Sequence, residues 1–252
     1  MRLKSYFLFL LVYLTSCAEE DGYIIVLSKE NSQQSCARFI QRLDTNLIWT
    51  FINAYELSDS ELQETLDSAN GIIMTGGADI HPANYSSAAD TVKCGTIDKK
   101  RDLIEYAILA HVNKTGIPCI GFCRGLQIMN VYGGGSLHPH LPDTLSSIHR
   151  GSEGATAHFV QVTRHIASVD LAKNSYNKIV SNHHQGISRL SSDFDAWAFS
   201  EDGLIEGIRH TDTIAYPYYV GVQWHPEKCK PGNEFDEQIG RSFIEAVISL
   251  GQ

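Results

Sequence analysis

The chain has 252 residues, 43% of them hydrophobic, and a formal net charge of −9. That size and composition can bury a large core and exclude a disordered or fibrous protein. The charge is spread out with no Lys/Arg-rich stripe, which excludes nucleic acid or an anionic membrane surface as the main partner and favours a small-molecule substrate.

The N-terminus reads "MRLKSYFLFLLVYLTSC", with Arg2 and Lys4 ahead of an apolar run from Tyr6 to Leu14. The run is too short for a permanent membrane span but has the length of a signal-peptide core. Leu14-Thr15-Ser16-Cys17 resembles a bacterial lipobox, in which cleavage precedes a cysteine that is then lipidated. Residues 1–16 are therefore expected to be a lipoprotein signal peptide, with Cys17 the lipidation site and residues 17–21 an acidic tether; an ordinary cleaved signal and a buried first strand are the alternatives. On this reading the protein is exported and lipid-anchored to the bacterial cell envelope, facing the periplasm or the outer surface, and meets the membrane only through that anchor. Of the other cysteines, Cys36, Cys94, Cys119, Cys123 and Cys229 are odd in number. They contain no Cys-x-x-Cys pair, so neither a zinc ribbon nor a redox motif is indicated, and spacing does not give a disulfide pairing.

Residues 22–252 read as one domain. "YIIVLS" at 23–28 has the look of a strand buried on both faces, and residues 32–43 follow with helical spacing. "NLIWTFI" at 46–52 is a second strand. Ser58 with Glu61 forms a capping box for a helix to about Ala69. "GIIMTGGADIHP" is a third strand entering a glycine-rich loop, followed by a helix at about 98–113, the strand "PCIGF" and a helix starting near Arg124. Such alternation implies an α/β fold with a mostly parallel central sheet and helices on both faces. In the second half "HFVQVTR", "AWAFS", "LIEGIRH" and "YYVGVQWH" alternate more like antiparallel or edge strands, and a helix at about 235–249 closes the chain.

Gly121-Phe122-Cys123-Arg124-Gly125 has the form of a nucleophile elbow, a sharp strand-to-helix turn with the nucleophile at its strained apex. Glycines two residues either side leave room for the arms of the turn, and the following helix N-terminus favours a thiolate. Cys119, in mid-strand, reads instead as a small buried hydrophobe. A nucleophile needs a base and an orienter, and "VGVQWHPE" offers both: in extended geometry His225 and Glu227 point to one face, so the carboxylate can hold the imidazole. The glycines of "MTGGADIHP" let a backbone N–H approach a neighbouring apex, and the N–H groups of Gly77 and Arg124 would form an oxyanion hole.

Together, "GFCRGLQIMNVYGGGSL", "TGGADIHPANY", "SNHHQGI", "DGLIEGI" and "GVQWHPE" resemble the class I glutamine amidotransferase-like hydrolases, and most nearly the branch with the bacterial γ-glutamyl-γ-aminobutyrate hydrolases. The resemblance runs over nearly all of residues 22–248. It implies a flavodoxin-like three-layer sandwich and a Cys-His-Glu triad at Cys123, His225 and Glu227. It also implies hydrolysis of a γ-glutamyl amide through a thioester, without metal or organic cofactor. The histidines agree with this: neither His183-His184 nor His138-Pro139-His140 has i, i+4 ligand spacing with a third partner in view.

By the same analogy Gln127 and the loop His183-His184-Gln185 face the amino-acid end of the substrate, with Gln127 alternatively capping a buried backbone group and His183 alternatively a packed core residue. Glu206 reads equally as a group near the site or a solvated strand residue. The chain departs from its relatives at Val180-Ser181-Asn182-His183-His184-Gln185 and at Gly134-Gly135-Ser136-Leu137-His138-Pro139-His140-Leu141, which leaves the leaving amine open. Folate polyglutamate hydrolysis, an ammonia-donating glutaminase and a non-catalytic γ-glutamyl-binding lipoprotein are the rival readings. A homodimer stays open.

Overall fold

A computed structural model describes residues 22–250, except 87, 152, 153 and 167. The expected lipidation site, Cys17, the signal peptide and the whole of the tether lie outside the described residues. Among the described residues, eleven strands and six α-helices follow in chain order. The first half runs β1 (Tyr23–Leu27), α1 (Ser35–Leu43), β2 (Trp49–Asn53), α2 (Asp59–Ser68), β3 (Gly71–Met74), α3 (Lys99–Thr115), β4 (Cys119–Phe122) and α4 (Arg124–Tyr132). The second half runs β5 (Ser136–His138), α5 (Asp143–His149), β6 (Thr156–Val162), β7 (Tyr176–Ser181), β8 (Gly186–Arg189), β9 (Phe194–Ser200), β10 (Ile205–His210), β11 (Tyr219–Val222) and α6 (Glu234–Leu250).

Nine strands form one sheet in the order β2-β1-β3-β4-β11-β10-β9-β6-β7, and β5 pairs with β8 apart from it. From β2 to β11 every pairing is parallel. From β11 onward every pairing is antiparallel. This is the α/β architecture that the alternation of elements implies, with one correction. The "YYVGV" strand is neither an edge strand nor purely antiparallel: β11 sits mid-sheet, parallel to β4 and antiparallel to β10. All four of its residues are buried, so its alternation of large residues and Gly221 does not reflect a solvent face. A side chain on Gly221 would press on Leu126 of α4 at 3.0 Å.

Two cores flank the parallel half. Ile25, Leu27, Ile73, Ile120 and Phe122 face α1 and α6 through Phe39, Ile40, Phe243 and Val247. Their sequence neighbours Val26, Ile72, Met74 and Cys119 face α2, α3 and α4 through Leu66, Ile108 and Leu126. Period-two strands that are apolar on both faces thus produce the three-layer sandwich. Helix boundaries follow local chemistry. Ser58 accepts from the Glu61 N–H, and the Glu61 side chain returns to Ser58, completing the capping box. At α3, Asp98 accepts from the Arg101 N–H and Gly116 ends the helix at φ 71°. The carboxyl ends of β3, β4 and β11 then open together on one side, the usual place for a site in a sheet of this kind.

Candidate active site

Cys123 lies between β4 and α4 with φ 52° and ψ −103°, a conformation that L-residues hold only when their surroundings impose it. Its N–H is fixed by the Val222 carbonyl at 2.8 Å. The flanking glycines are required, though by different neighbours. A Cβ on Gly121 would stand 2.7 Å from the Gly125 carbonyl carbon, the opposite arm of the turn. One on Gly125 would stand 2.0 Å from the Met74 carbonyl oxygen, in the next strand. Cys119 is fully buried in β4, and burial pushes its thiol pKa up. All five cysteines among the described residues are free thiols.

His225 follows β11, with its N–H on the Val180 carbonyl at 3.0 Å, and its Nδ1 is 2.7 Å from Glu227 Oε1. The pair does not share the face of a strand, as extended geometry would have it. Pro226–Lys228 form a 3-10 turn, and it is this turn that brings the carboxylate back to the imidazole. Burial alone would lower the His225 pKa; the Glu227 carboxylate and Cys123 outweigh it and raise it to about 10. For Glu227, burial pushes upward, and the charge of His225 and its hydrogen bond bring the carboxyl below its ordinary value. A Cβ on Gly76 would lie 2.9 Å from His225 Cε1 and 3.7 Å from Cys123 Cβ. Gly76 therefore sits where the thiol-bearing and imidazole-bearing segments meet.

The glycine loop is held by a residue that the sequence reading did not single out. Arg101, 2% exposed on α3, donates to the Gly76 carbonyl at 3.0 Å and to the Thr75 carbonyl at 2.6 Å. Glu105 anchors it from one turn away at 2.7 Å. In a planar trans peptide the carbonyl of one residue and the N–H of the next point in opposite directions. With the Gly76 carbonyl turned onto Arg101, the Gly77 N–H faces the other way. Gly77 has φ 154°, and a Cβ there would be 2.1 Å from Arg101 Nη1. Arg124, whose N–H opens α4, directs its side chain away into Asp102, at 2.6 Å, and Glu105.

Two cavities, about 340 and 330 Å³, are both bounded by Gly77, Cys123 and Asn182. The first is also lined by Gln127, His184 and Gln185, so the structure brings every expected substrate contact to one wall of it. These residues are committed to partners as well. Gln127 Nε2 donates to the Gln185 carbonyl at 3.1 Å and to Gln223 Oε1 at 3.2 Å. His184 Nε2 is 3.0 Å from Asp79 Oδ2, and Gln185 Nε2 donates to the Pro139 carbonyl at 2.9 Å. Asp79 and the exposed Arg150 line the same cavity, and neither was marked by the sequence reading. A larger cavity of about 580 Å³, lined by Leu66, His111 and Ile214, includes Asn70 and Pro118 at the amino ends of β3 and β4 and holds none of Cys123, His225 and Glu227.

Glu206 is not a solvated strand residue. It is fully buried in β10, surrounded by His149, His158 and His183. The spacing of histidines along the chain concealed this group, because its members come from α5, β6, the segment after β7, and β10.

Comparison with known proteins shows the family and the fold. A family model described as Peptidase C26 matches residues 14–227. A glutamine amidotransferase-like protein of Lactococcus lactis is 34% identical over 191 residues, covering 74% of this chain and 78% of that one. The γ-glutamyl-γ-aminobutyrate hydrolase PuuD of Escherichia coli is 32% identical over 205 residues, covering 77% and 76%. Among solved structures, the glutaminase domain of Trypanosoma brucei CTPS with bound acivicin superposes with a TM-score of 0.64 at 14% identity, over 90% of this chain and 94% of that one. A glutamine amidotransferase of Thermotoga maritima gives 0.57 at 14% identity, over 90% and 96%. At these identities the structural matches speak to the fold.

Proposed function

We propose, given that the chain belongs to the Peptidase C26 family, that it is a cysteine-dependent hydrolase of γ-glutamyl amides with Cys123, His225 and Glu227 as its triad. The observation that carries this reading is the thiol held at φ 52° beside an imidazole that is itself fixed 2.7 Å from a buried carboxylate. With its raised pKa, His225 holds the proton of the Cys–His pair at neutral pH. Cys123 Sγ attacks the γ-carbonyl carbon, and the N–H groups of Gly77 and Arg124 receive the developing oxyanion. His225 then gives its proton to the amine as the C–N bond breaks, leaving a thioester on Cys123. Water, deprotonated by His225, attacks the thioester carbonyl carbon, releasing glutamate and restoring the Cys123–His225 pair with its proton on His225.

The amino-acid end of a γ-glutamyl group is a zwitterion. Arg150 and Asp79, together on the wall of the Cys123 cavity, complement its carboxylate and ammonium. Gln127, His184 and Gln185 shape the same wall. The lipobox-like Leu14-Thr15-Ser16-Cys17 further supports placement at the cell envelope, where a scavenging hydrolase is useful and an ammonia-donating subunit has no synthase to serve. Retention of a Cys17→Ser variant on membranes would count against that placement.

The test is incubation of purified protein with a panel of γ-glutamyl amines, γ-glutamyl peptides, folate polyglutamates and glutamine, with free glutamate and amine quantified. Turnover that is lost in Cys123→Ala, with the melting transition kept, supports the hydrolase. A panel with no turnover, or turnover undiminished in Cys123→Ala, rejects it. Glutamine as the sole substrate would assign the chain to the glutaminases instead.

A further inference from the structure

We infer that His149, His158, His183 and Glu206 form a buried, four-coordinate site for a divalent metal ion of the zinc class, behind the wall of the Cys123 cavity. One donor atom from each of the four lies within 4.8 Å of all the others. His149 Nδ1 is 3.1 Å from His158 Nε2 and 3.3 Å from Glu206 Oε1. Glu206 Oε1 is also 3.7 Å from His158 Nε2 and 3.6 Å from His183 Nε2. Four ligands about 2.0–2.1 Å from a tetrahedral centre stand roughly 3.4 Å from one another. These four separations bracket that edge, and the remaining pairs stay within 4.8 Å. All four residues are buried: His149 and Glu206 fully, His183 to 4% exposure and His158 to 5%.

The outward ring nitrogens decide which inward atoms can donate. His149 Nε2 is 2.9 Å from Asp202 Oδ2, His158 Nδ1 is 3.1 Å from the Phe159 carbonyl, and His183 Nδ1 is 2.8 Å from the Gln185 carbonyl. Carboxylates and carbonyls only accept, so each outward nitrogen carries the hydrogen, and in the neutral ring the inward nitrogen is a bare lone pair. Three lone pairs then converge on a carboxylate that has nothing to donate. His183 Nε2 and both Glu206 oxygens have no well-aligned hydrogen-bond partner, the nearest approach to the carboxylate being His149 Nδ1 at 3.3 Å. Leaving such groups unanswered in a dry interior is costly, and a proton on His149 Nδ1, shared between His158 Nε2 and Glu206 Oε1, would still leave the His183 lone pair facing the carboxylate. A divalent cation answers all of them. The outward bonds to Asp202 and the two carbonyls are the arrangement that orients metal-bound imidazoles. Imidazole with carboxylate suits zinc among the available ions, and four protein ligands leave no open position, so the role is structural.

The site joins distant segments. His149 ends α5, His158 is in β6 and Glu206 in β10, while His183 adjoins Asn182 and His184 on the cavity wall. An ion there fastens that wall to the antiparallel half of the sheet.

The experiment uses the full-length chain and reads metal, not turnover, so its outcome is separate from that of the hydrolase reading. Protein treated with chelator, dialysed and titrated with Zn²⁺ is measured for bound metal and for Tm, in the wild type and in Cys123→Ala. The expected result is about one equivalent per chain in both, a Tm that falls on chelation and returns with Zn²⁺, and visible d–d bands of four-coordinate Co²⁺ on substitution. Asp202→Asn should weaken affinity by roughly 10–100-fold while the chain still folds. His158→Gln should lose the ion. A chain that takes up no Zn²⁺, Mn²⁺ or Fe²⁺ with no change in Tm, or binding that vanishes in Cys123→Ala but persists in His158→Gln, would overturn the assignment.

Discussion

Arg101 Nη1 donates to the Gly76 carbonyl at 3.0 Å, and this one bond fixes which way the Gly77 N–H points. The guanidinium also holds the Thr75 carbonyl and pairs with Glu105, so it grips the loop in a fork that a lysine cannot reproduce. Arg101→Lys keeps a cation beside Glu105 but loses the orientation of the peptide. The expected result is a kcat lower by roughly 10–100-fold with KM little changed, since an oxyanion donor acts on the transition state. Unchanged kcat in a folded variant would show that the loop keeps its conformation without Arg101.

The strain at Cys123 should be visible in a comparison of two inactive variants. At an ordinary site glycine is less stable than alanine by roughly 0.5–1 kcal/mol, because it loses more chain entropy on folding. At φ 52° and ψ −103° alanine retains the strain, of order 1–3 kcal/mol, and glycine does not. Cys123→Gly is therefore expected to unfold at a higher denaturant midpoint than Cys123→Ala, with neither hydrolysing substrate. The reverse order would mean that the turn is relaxed.

Glu227 sets the charge on His225, and its removal should appear in the pH profile. His225 has its folded pKa raised to about 10 from an ordinary 6.5. The stabilisation this contributes is full below about pH 6.5 and is lost as pH rises through 10. In the proposed reaction the same titration removes the proton that the leaving amine needs, so kcat in the wild type should fall on an alkaline limb near pH 10. In Glu227→Gln that limb moves to lower pH and kcat drops on the order of 10³–10⁴-fold. A limb that stays in place would transfer the control of His225 to some other group.

How much of this could be read from the sequence depends on how local each feature is. The elbow at Cys123 is written in five consecutive residues, and His225 with Glu227 in three, so both were legible before any folding was considered. The parallel half of the sheet was legible because its strands are apolar on both faces and alternate with helices. Arg101 was not legible. "KKRDLIEY" reads as the solvated face of a helix, yet Arg101, Asp102 and Glu105 are buried and wired to Arg124 and the glycine loop. Nor was the histidine cluster, whose four members gain meaning only when α5, β6, the turn after β7, and β10 are brought side by side. The position of β11 was misjudged for a related reason: its neighbours, β4 and β10, are set by pairings across the folded sheet and not by its own four residues.

Asp236, near the start of α6, offers a test of stability apart from catalysis. It is fully buried and accepts from Trp224 Nε1 at 2.8 Å through Oδ1. Burial is the main cause that raises its pKa to about 7; the Trp224 bond opposes this and the nearby Glu227 carboxylate adds to it. In the unfolded chain the carboxyl titrates near 3.8. Between pH 4 and 7 the unfolded state has therefore lost a proton that the folded state keeps, so this group makes the protein less stable as pH rises, by roughly 1 kcal/mol per pH unit, and contributes no further slope above 7. Asp236→Asn keeps an acceptor for Trp224 and removes the titration. Its Tm should match the wild type near pH 4 and exceed it by several degrees at pH 8, given about 2–4 °C per kcal/mol for a domain of this size. A difference in Tm that does not change with pH would show that the folded carboxyl is already ionised at pH 4.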